Sequence, residues 1–369
     1  MQNSYKVLHV IPNLDQGGAE RQLVELVNTN TNHEVCQLLS NGYYEKNLKK
    51  KNVKIYNINI KRNITAIRSI FKLYKIIKTS NPQIIHCWMY HSCLLVSLLK
   101  YFSFIRGIPL VWGLRCSNMD INYYSFQLNI VIKACKYLSS TPNLIINNSY
   151  SGKIIHDKIG FNRESIVISN GIDTQYFSYN EASRIRFRKN YNISNDKIVF
   201  LCVARVDPMK DHGTLIKAFN KFKLTNLNTI LILAGTGTEK YTNEDKVIAL
   251  GSYKDINEVY SASDFLISSS SFGEGFSNAI SEAMSCKLIP IATDVGDAKK
   301  IIANTGKVIP IKNVEELVSA MNELSNLPKK ELLIKRNAAR ERMLNNYSKD
   351  KMIIKYHNIY NSLLNNCGK

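Results

Sequence analysis

Glu274 and Glu282, with seven residues between them, flank the turn in this chain whose residue types are best suited to chemistry. Gly275, Phe276, Ser277 and Asn278 follow the first carboxylate, and a helix-forming run with Ala279, Ile280, Ala283 and Met284 comes next. A helix start offers unpaired backbone N–H groups and the positive end of its dipole, which attract an anion. Small residues at 275 and 277 let a phosphate or a sugar approach the backbone. A glycosidase acid/base pair would need its carboxylates roughly 5–9.5 Å apart. Eight helical residues at about 1.5 Å each would separate these two by roughly 12 Å, which suits two grips on one elongated ligand. The plainer alternative is a first-turn Glu complementing a helix dipole and a second Glu on the surface.

Arg205 and Lys210 lie in a loop that follows a strand-like run and precedes a helix. Two cations at the carboxyl end of a strand suit a diphosphate, Arg through its planar fork and Lys as a point charge. Asp211 in the same loop reads as a helix cap. Gly17 and Gly18 follow the first strand-like run and let a backbone approach a phosphate or sugar, while Glu20 also reads as a dipole partner. This is not G-x-G-x-x-G, and no acidic residue ends the second strand, so a dehydrogenase is disfavoured. Gly235, in Ala234-Gly235-Thr236-Gly237, is a further post-strand turn, a position where any tight connection wants Gly.

These residues must be positioned by an alternation of short Val/Ile-rich runs with helical periods, the pattern of a parallel sheet with crossover helices. Strands are expected at Lys6–Ile11, Glu34–Leu39, Lys54–Ile60, Gln83–Cys87, Leu110–Trp112, Leu144–Asn147 and Ile166–Ile168. Helices are expected at Ala19–Asn28, Ile64–Lys78 and Tyr123–Leu138. The pattern restarts at Ile198–Val203, Thr229–Leu233, Lys246–Leu250, Phe265–Ser268 and Leu288–Ala292. The polar stretch Ser169–Asn195 between the halves marks the expected junction, giving domains over 1–170 and 171–348. A last helix is expected from Lys349. Two such sheets facing each other would bind a ligand in the cleft between them.

The totals fit this frame. A chain of 369 residues suits two domains, and 45% hydrophobic residues suit a large buried core. A net charge of +20 favours an acidic partner: nucleic acid, anionic lipid or a phosphorylated substrate. The eight cysteines form no C-x-x-C pair or zinc spacing. With no leader ahead of the first strand, this leads to the expectation of a cytoplasmic protein without a metal. Leu94–Ile105, interrupted by Lys100, is too short to span a bilayer. The helical run Lys61–Lys78 carries Arg68, Lys72 and Lys75 along one face. It reads as a crossover helix with its polar side in water, or as a cationic face meeting anionic lipid.

Taken together, the chain resembles family 4 of the glycosyltransferases, which have the GT-B fold of two Rossmann-like domains. The likeness rests on Glu274-x7-Glu282, Arg205 with Lys210, Gly17-Gly18, and Asn170-Gly171-x-Asp173. It extends to Trp88-Met89-Tyr90-His91, Trp112-Gly113-Leu114-Arg115 and Thr293-Asp294-Val295-Gly296-Asp297, which are similar to a capsule and O-antigen branch. The resemblance implies that Arg205 and Lys210 hold the pyrophosphate of a nucleoside diphosphate sugar, with UDP and GDP both open as the carrier. Glu274 would hold the sugar's hydroxyls, the 275–278 amides would surround sugar and phosphate, and Glu282 would take the ribose. It also implies retention of configuration, no bound metal or other cofactor, and a last helix that packs back on the first domain.

Little room remains between Gly237 and Val247 for the helix that many members carry there. His91, just past a strand end, is a candidate to orient the sugar or an acceptor hydroxyl, or else is structural. Arg115 is a phosphate contact or a buried, satisfied cation. The expected reaction is sugar transfer to a growing, lipid-linked bacterial surface glycan (capsule, O-antigen or lipopolysaccharide) at the inner face of the membrane. A nucleotide-sugar epimerase and a basic nucleic-acid-binding protein are the alternatives. The latter lacks a recognition motif.

Overall fold

The computed structural model describes residues 5–15, 17–29, 32–40, 42–60, 66–117 and 126–367. The expected helix beginnings at Lys61, Ile64 and Tyr123 lie outside them. The chain divides into two compact units, residues 1–171 with 350–369, and 172–349.

The first unit holds a sheet of seven parallel strands: β1 (Val7–Ile11), β2 (His33–Gln37), β3 (Lys54–Asn57), β4 (Ile84–Trp88), β5 (Leu110–Leu114), β6 (Leu144–Asn147) and β7 (Ser165–Val167). Their order is β3-β2-β1-β4-β5-β6-β7, with the reversal of direction between β1 and β4. Alternate residues feed two apolar layers, because successive strand side chains point to opposite faces. Leu8, Val10, Cys87 and Trp112 meet Leu73, Leu99 and Cys135 of helices Ala66–Ser80, Met89–Tyr101 and Phe126–Tyr137 on one side. Val7, Ile11, Trp88 and Val111 meet Leu23 and Leu26 of helix Gly18–Val27, and Met352, Tyr356 and Tyr360 of helix Lys349–Cys367, on the other. Full burial of each such side chain is worth about 1.5–3 kcal/mol over exposure.

The second unit holds six parallel strands: β8 (Ile198–Val203), β9 (Thr229–Ala234), β10 (Val247–Gly251), β11 (Phe265–Ser268), β12 (Ile289–Thr293) and β13 (Lys307–Ile309). Their order is β10-β9-β8-β11-β12-β13, so the switch point lies between β8 and β11. Every expected strand is present within three residues of its expected ends, and β13 was not expected. As anticipated, Gly237 to Val247 holds no full helix, only the 3-10 turn Thr238–Tyr241.

Part of the expected junction is helical. Helix Glu181–Asn190 belongs to the second unit, anchored by Phe187 and by Arg188, which is buried despite its charge. Asp264, just ahead of β11, accepts from Arg184 at 3.0 Å, from Arg188 at 3.0 Å and from Arg336 at 2.9 Å. One carboxylate thus ties helices Glu181–Asn190 and Lys329–Asn346 to the sheet. Its charge makes the burial of Arg188 tolerable.

Candidate functional site

At the switch point of the second sheet, two loops are stitched together. After β8, Asp207 caps the short turn Pro208–Lys210 by accepting from the Met209 amide at 2.9 Å. Asp211, at φ 46°, caps helix His212–Phe222 by accepting from the Thr214 amide at 3.1 Å and its hydroxyl at 2.7 Å. Caps on both sides fix the three residues between them, of which the last is Lys210. The loop after β11 then attaches to the first: the Ser271 amide donates to the Met209 carbonyl at 2.8 Å, and the Ser269 hydroxyl to the Lys210 carbonyl at 2.8 Å.

The side chains converge at the same place. The Lys210 ammonium pairs with Glu274 Oε1, and the Ser270 hydroxyl donates to that oxygen at 2.8 Å. Both charged groups are largely buried, with side chains 19% and 12% exposed. The Thr293 hydroxyl, at the end of β12, donates to the Ser270 carbonyl. Arg205 is more open, 59% exposed, and meets Asp207 at 3.1 Å. Each cation of the expected pair therefore stands beside a carboxylate.

Beyond Glu274 the backbone is braced from outside. The Asp297 amide donates to the Gly275 carbonyl at 2.9 Å. A Cβ on Gly296, whose φ is +62°, would come within 2.4 Å of the Gly275 oxygen and 2.5 Å of the Glu274 oxygen. Phe276 is buried with its ring against Tyr347, centroids 5.3 Å apart. Helix Asn278–Ser285 starts at Ser277, whose side chain makes no capping bond. Only half of the interval from Glu274 to Glu282 is helical, so an eight-residue helical spacing does not apply to it. Glu282 is buried, and one of its oxygens accepts from the Tyr260 hydroxyl at 2.9 Å.

Gly235, at φ +144°, brings the end of β9 against this loop. A Cβ there would lie 2.2 Å from the Ala204 carbonyl oxygen. Nearby, His212 is buried with its ring stacked on Tyr241, and burial pulls its pKa down. Burial also pushes the Cys202 thiol up to about 12.

The first unit carries the remaining candidates. Gly17 precedes helix Gly18–Val27, and a Cβ on it would meet the Glu20 carboxylate at 2.1 Å, so Glu20 folds over that turn. His91 is exposed in the first turn of helix Met89–Tyr101, and desolvation holds its pKa below the ordinary value. Arg115 is held by side chains: it donates to Asn170 at 3.0 Å and to the Tyr356 hydroxyl at 2.7 Å, while its buried Nε has no partner among the described residues. Its guanidinium also lies 4.1 Å from the centre of a Trp88 ring.

Trp88 opens a buried chain of imidazoles that periodicity alone did not reveal. Its indole N–H donates to His9 Nδ1 at 3.1 Å, and His9 Nε2 lies 3.1 Å from His33 Nδ1. Indole only donates, so His9 must carry its proton on Nε2 and pass it toward His33. His86 Nδ1 is 2.7 Å from the Tyr360 hydroxyl. Burial leads the causes that hold all three imidazoles below their ordinary pKa, His33 down to about 3.

Among the described residues, no group of three or more His, Cys, Asp and Glu could hold a metal ion. No helix among them is long and apolar enough to cross a membrane. The seven cysteines from Cys36 to Cys286 are free thiols, six of them buried.

Residues 16–176 match the model of Glycosyltransferase Family 4, and residues 183–341 that of Glycosyl transferases group 1. An uncharacterized glycosyltransferase of Methanocaldococcus jannaschii is 26% identical over 62% of this chain, which spans 59% of that relative's length. The capsular polysaccharide biosynthesis glycosyltransferase CapH of Staphylococcus aureus is 23% identical over 80% of this chain and 83% of its own. Among solved structures, HepE of Anabaena in complex with UDP superposes with a TM-score of 0.84 at 18% identity, over 97% of this chain and all of that one. At that identity the likeness speaks for the fold. Two parallel-sheet units of GT-B type, matched in turn by these two models, identify the chain as a member of the family 4 and group 1 glycosyltransferases.

Proposed function

We propose that this chain is a retaining, metal-independent glycosyltransferase. It moves a sugar from a nucleoside diphosphate sugar to a growing, lipid-linked bacterial surface glycan at the inner face of the cytoplasmic membrane. The observation that carries this reading is the joining of the Lys210 and Glu274 loops at the switch point of the second sheet. One cation, one carboxylate and a helix start meet there, matching the phosphate and hydroxyl ends of such a donor.

In this reading Arg205 and Lys210 take the diphosphate. The acceptor hydroxyl oxygen bonds to the anomeric carbon as the bond from that carbon to the diphosphate oxygen breaks with its electrons on the diphosphate, which takes up the hydroxyl proton, and the two cations stabilise the charge that develops. Glu274 accepts from hydroxyls of the transferred sugar, and backbone amides from Gly275 through Phe276 and Ser277 to Asn278 line it. Glu282, held by Tyr260, accepts from the ribose. Gly17, Gly18 and Gly235 allow close backbone approach to the donor, while His91 and Arg115 serve the acceptor side. The UDP seen with HepE favours a uridine nucleotide over a guanosine one for this chain as well.

The domains are proposed at 1–170 with the last helix from Lys349, and 171–348. A thermal-shift screen of nucleoside diphosphates and their sugars tests the donor, since a ligand of the folded state raises its melting point. Transfer releases free nucleoside diphosphate, whereas an epimerase would return an altered nucleotide sugar. Release from no donor in the screen would overturn the reading.

A further inference from the structure

The first unit carries a surface that the sugar chemistry does not use. Between Glu45 and Asp157 the sequence has 17 Lys and Arg residues and one acidic residue, Asp120. Helices Ala66–Ser80, Met89–Tyr101 and Phe126–Tyr137 fall in this stretch and share the apolar layer on one side of the first sheet. Their inner faces are spent on that core. Their outer faces and the turn after Tyr101 hold large apolar side chains in the open: Phe71 is 57% exposed, Phe102 64%, Phe126 75% and Tyr137 76%.

The turn is tied to the layer. Phe104 meets Tyr74 edge-on with centroids 5.7 Å apart, which sets the turn's rings beside helix Ala66–Ser80. Arg68, Lys75, Lys78 and Arg106 are exposed on the same elements, as are Lys133 and Lys136 on the third helix. Exposed apolar groups rimmed by charge mark an interaction surface. Here the rim has one sign.

We propose that this face docks on an anionic lipid surface, its cations pairing with phosphate head groups while Phe71, Phe102 and Phe126 enter the acyl boundary. Both halves of the surface are used by that partner: head groups take the charge, and the hydrocarbon edge gives the rings an apolar phase. A nucleic acid duplex would satisfy the charge and leave the Phe rings in water. The face takes its purpose from the reading of a lipid-carried acceptor. Docking itself is read on vesicles that carry no sugar acceptor, so the two can fail separately.

The probe is vesicles of phosphatidylglycerol with phosphatidylcholine, compared with phosphatidylcholine alone, in sedimentation assays on the full chain. Wild type should sediment with the anionic vesicles, and less so as salt rises. Removing three cations together in Arg68→Gln, Lys75→Gln and Lys78→Gln should weaken binding about a hundred-fold, with the melting point unchanged. Trp88 and Trp112 are both fully buried, so Phe102→Trp places a surface reporter on the turn without losing its ring. Its emission should shift to the blue on anionic vesicles alone. No shift, equal sedimentation of wild type and the triple variant, or preference for a DNA duplex over anionic vesicles at matched phosphate would overturn the proposal.

Discussion

The Lys210 ammonium and the Glu274 carboxylate, 64 positions apart in the chain, form an ion pair that joins the loop after β8 to the loop after β11. Neither is free to move alone, because caps at Asp207 and Asp211 hold the first and Ser270 holds the second. If Lys210 stabilises a departing diphosphate, Lys210→Ala should lower kcat roughly 10²–10³-fold, the usual cost of removing one preorganised donor. Glu274→Ala should be comparably inactive while remaining folded. Because the two share an interaction, the double variant should lose less than the product of the single losses. Wild-type turnover in either single variant would remove both residues from the reaction.

Ser270 offers a finer test of the same carboxylate. Its hydroxyl donates 2.8 Å to the oxygen that Lys210 also reaches, so Ser270→Ala keeps the ion pair and removes one hydrogen bond. A bond to a charged group is worth about 1.5–3 kcal/mol, which corresponds to roughly 10- to 150-fold. The loss should appear chiefly as a raised KM for the donor sugar, with the melting point little changed. A loss confined to stability would make Ser270 a purely structural residue.

Both sheets were legible in the sequence because buried parallel strands are written as short Val/Ile runs, and Ile198–Val203 or Leu144–Asn147 have few other readings. β13 was not, since Lys307–Ile309 is three residues long and opens on a lysine. The helix inside the junction was missed for a related reason: the charge of Glu181–Asn190 reads as solvated surface, yet Arg188 is buried against Asp264, 76 positions away. At the candidate site, the glutamates and the Arg/Lys pair stood out by residue type. Of their supports, Thr293 and Gly296 were visible only as part of a family motif, and Ser270 and Tyr260 carried no signal, because a hydroxyl or a glycine acquires a role only from a partner that the fold supplies. Tyr260 and Glu282 lie 22 positions apart on separate helices, an interval with no local period.

Gly296 is such a support. With φ at +62° and a would-be Cβ within 2.5 Å of two carbonyl oxygens, it cannot be replaced without moving the Glu274–Gly275 backbone. The left-handed conformation alone costs a non-glycine residue about 1–2 kcal/mol. Gly296→Ala should therefore lower the melting point and also raise the donor KM. An effect on melting without one on KM would mean that the displaced backbone is not part of the donor site.

The buried imidazoles of the first unit predict a pH dependence whose sign follows from their folded state. His9, His33 and His86 are held neutral by burial, with folded pKa values below the ordinary 6.5 and about 3 for His33. Below pH 6.5 the unfolded chain takes up protons that the folded chain refuses, so stability falls as pH falls. Well above pH 6.5 neither state binds these protons, and their contribution becomes constant. Each imidazole can add up to about 1.4 kcal/mol per pH unit inside the window, which for His33 runs from 6.5 down to about 3. Helix Lys349–Cys367 is exposed to the effect, since Tyr360 meets His86 and Tyr356 meets Arg115. Urea unfolding between pH 7.5 and pH 5 should lose stability with a slope that reaches or exceeds three protons, because His91, His156, His212 and His357 are also held below their ordinary pKa and add to it, the slope becoming shallow above pH 7. A slope below one proton across that interval would mean that the imidazoles are not buried neutral, and the chain from Trp88 to His33 would have to be redrawn.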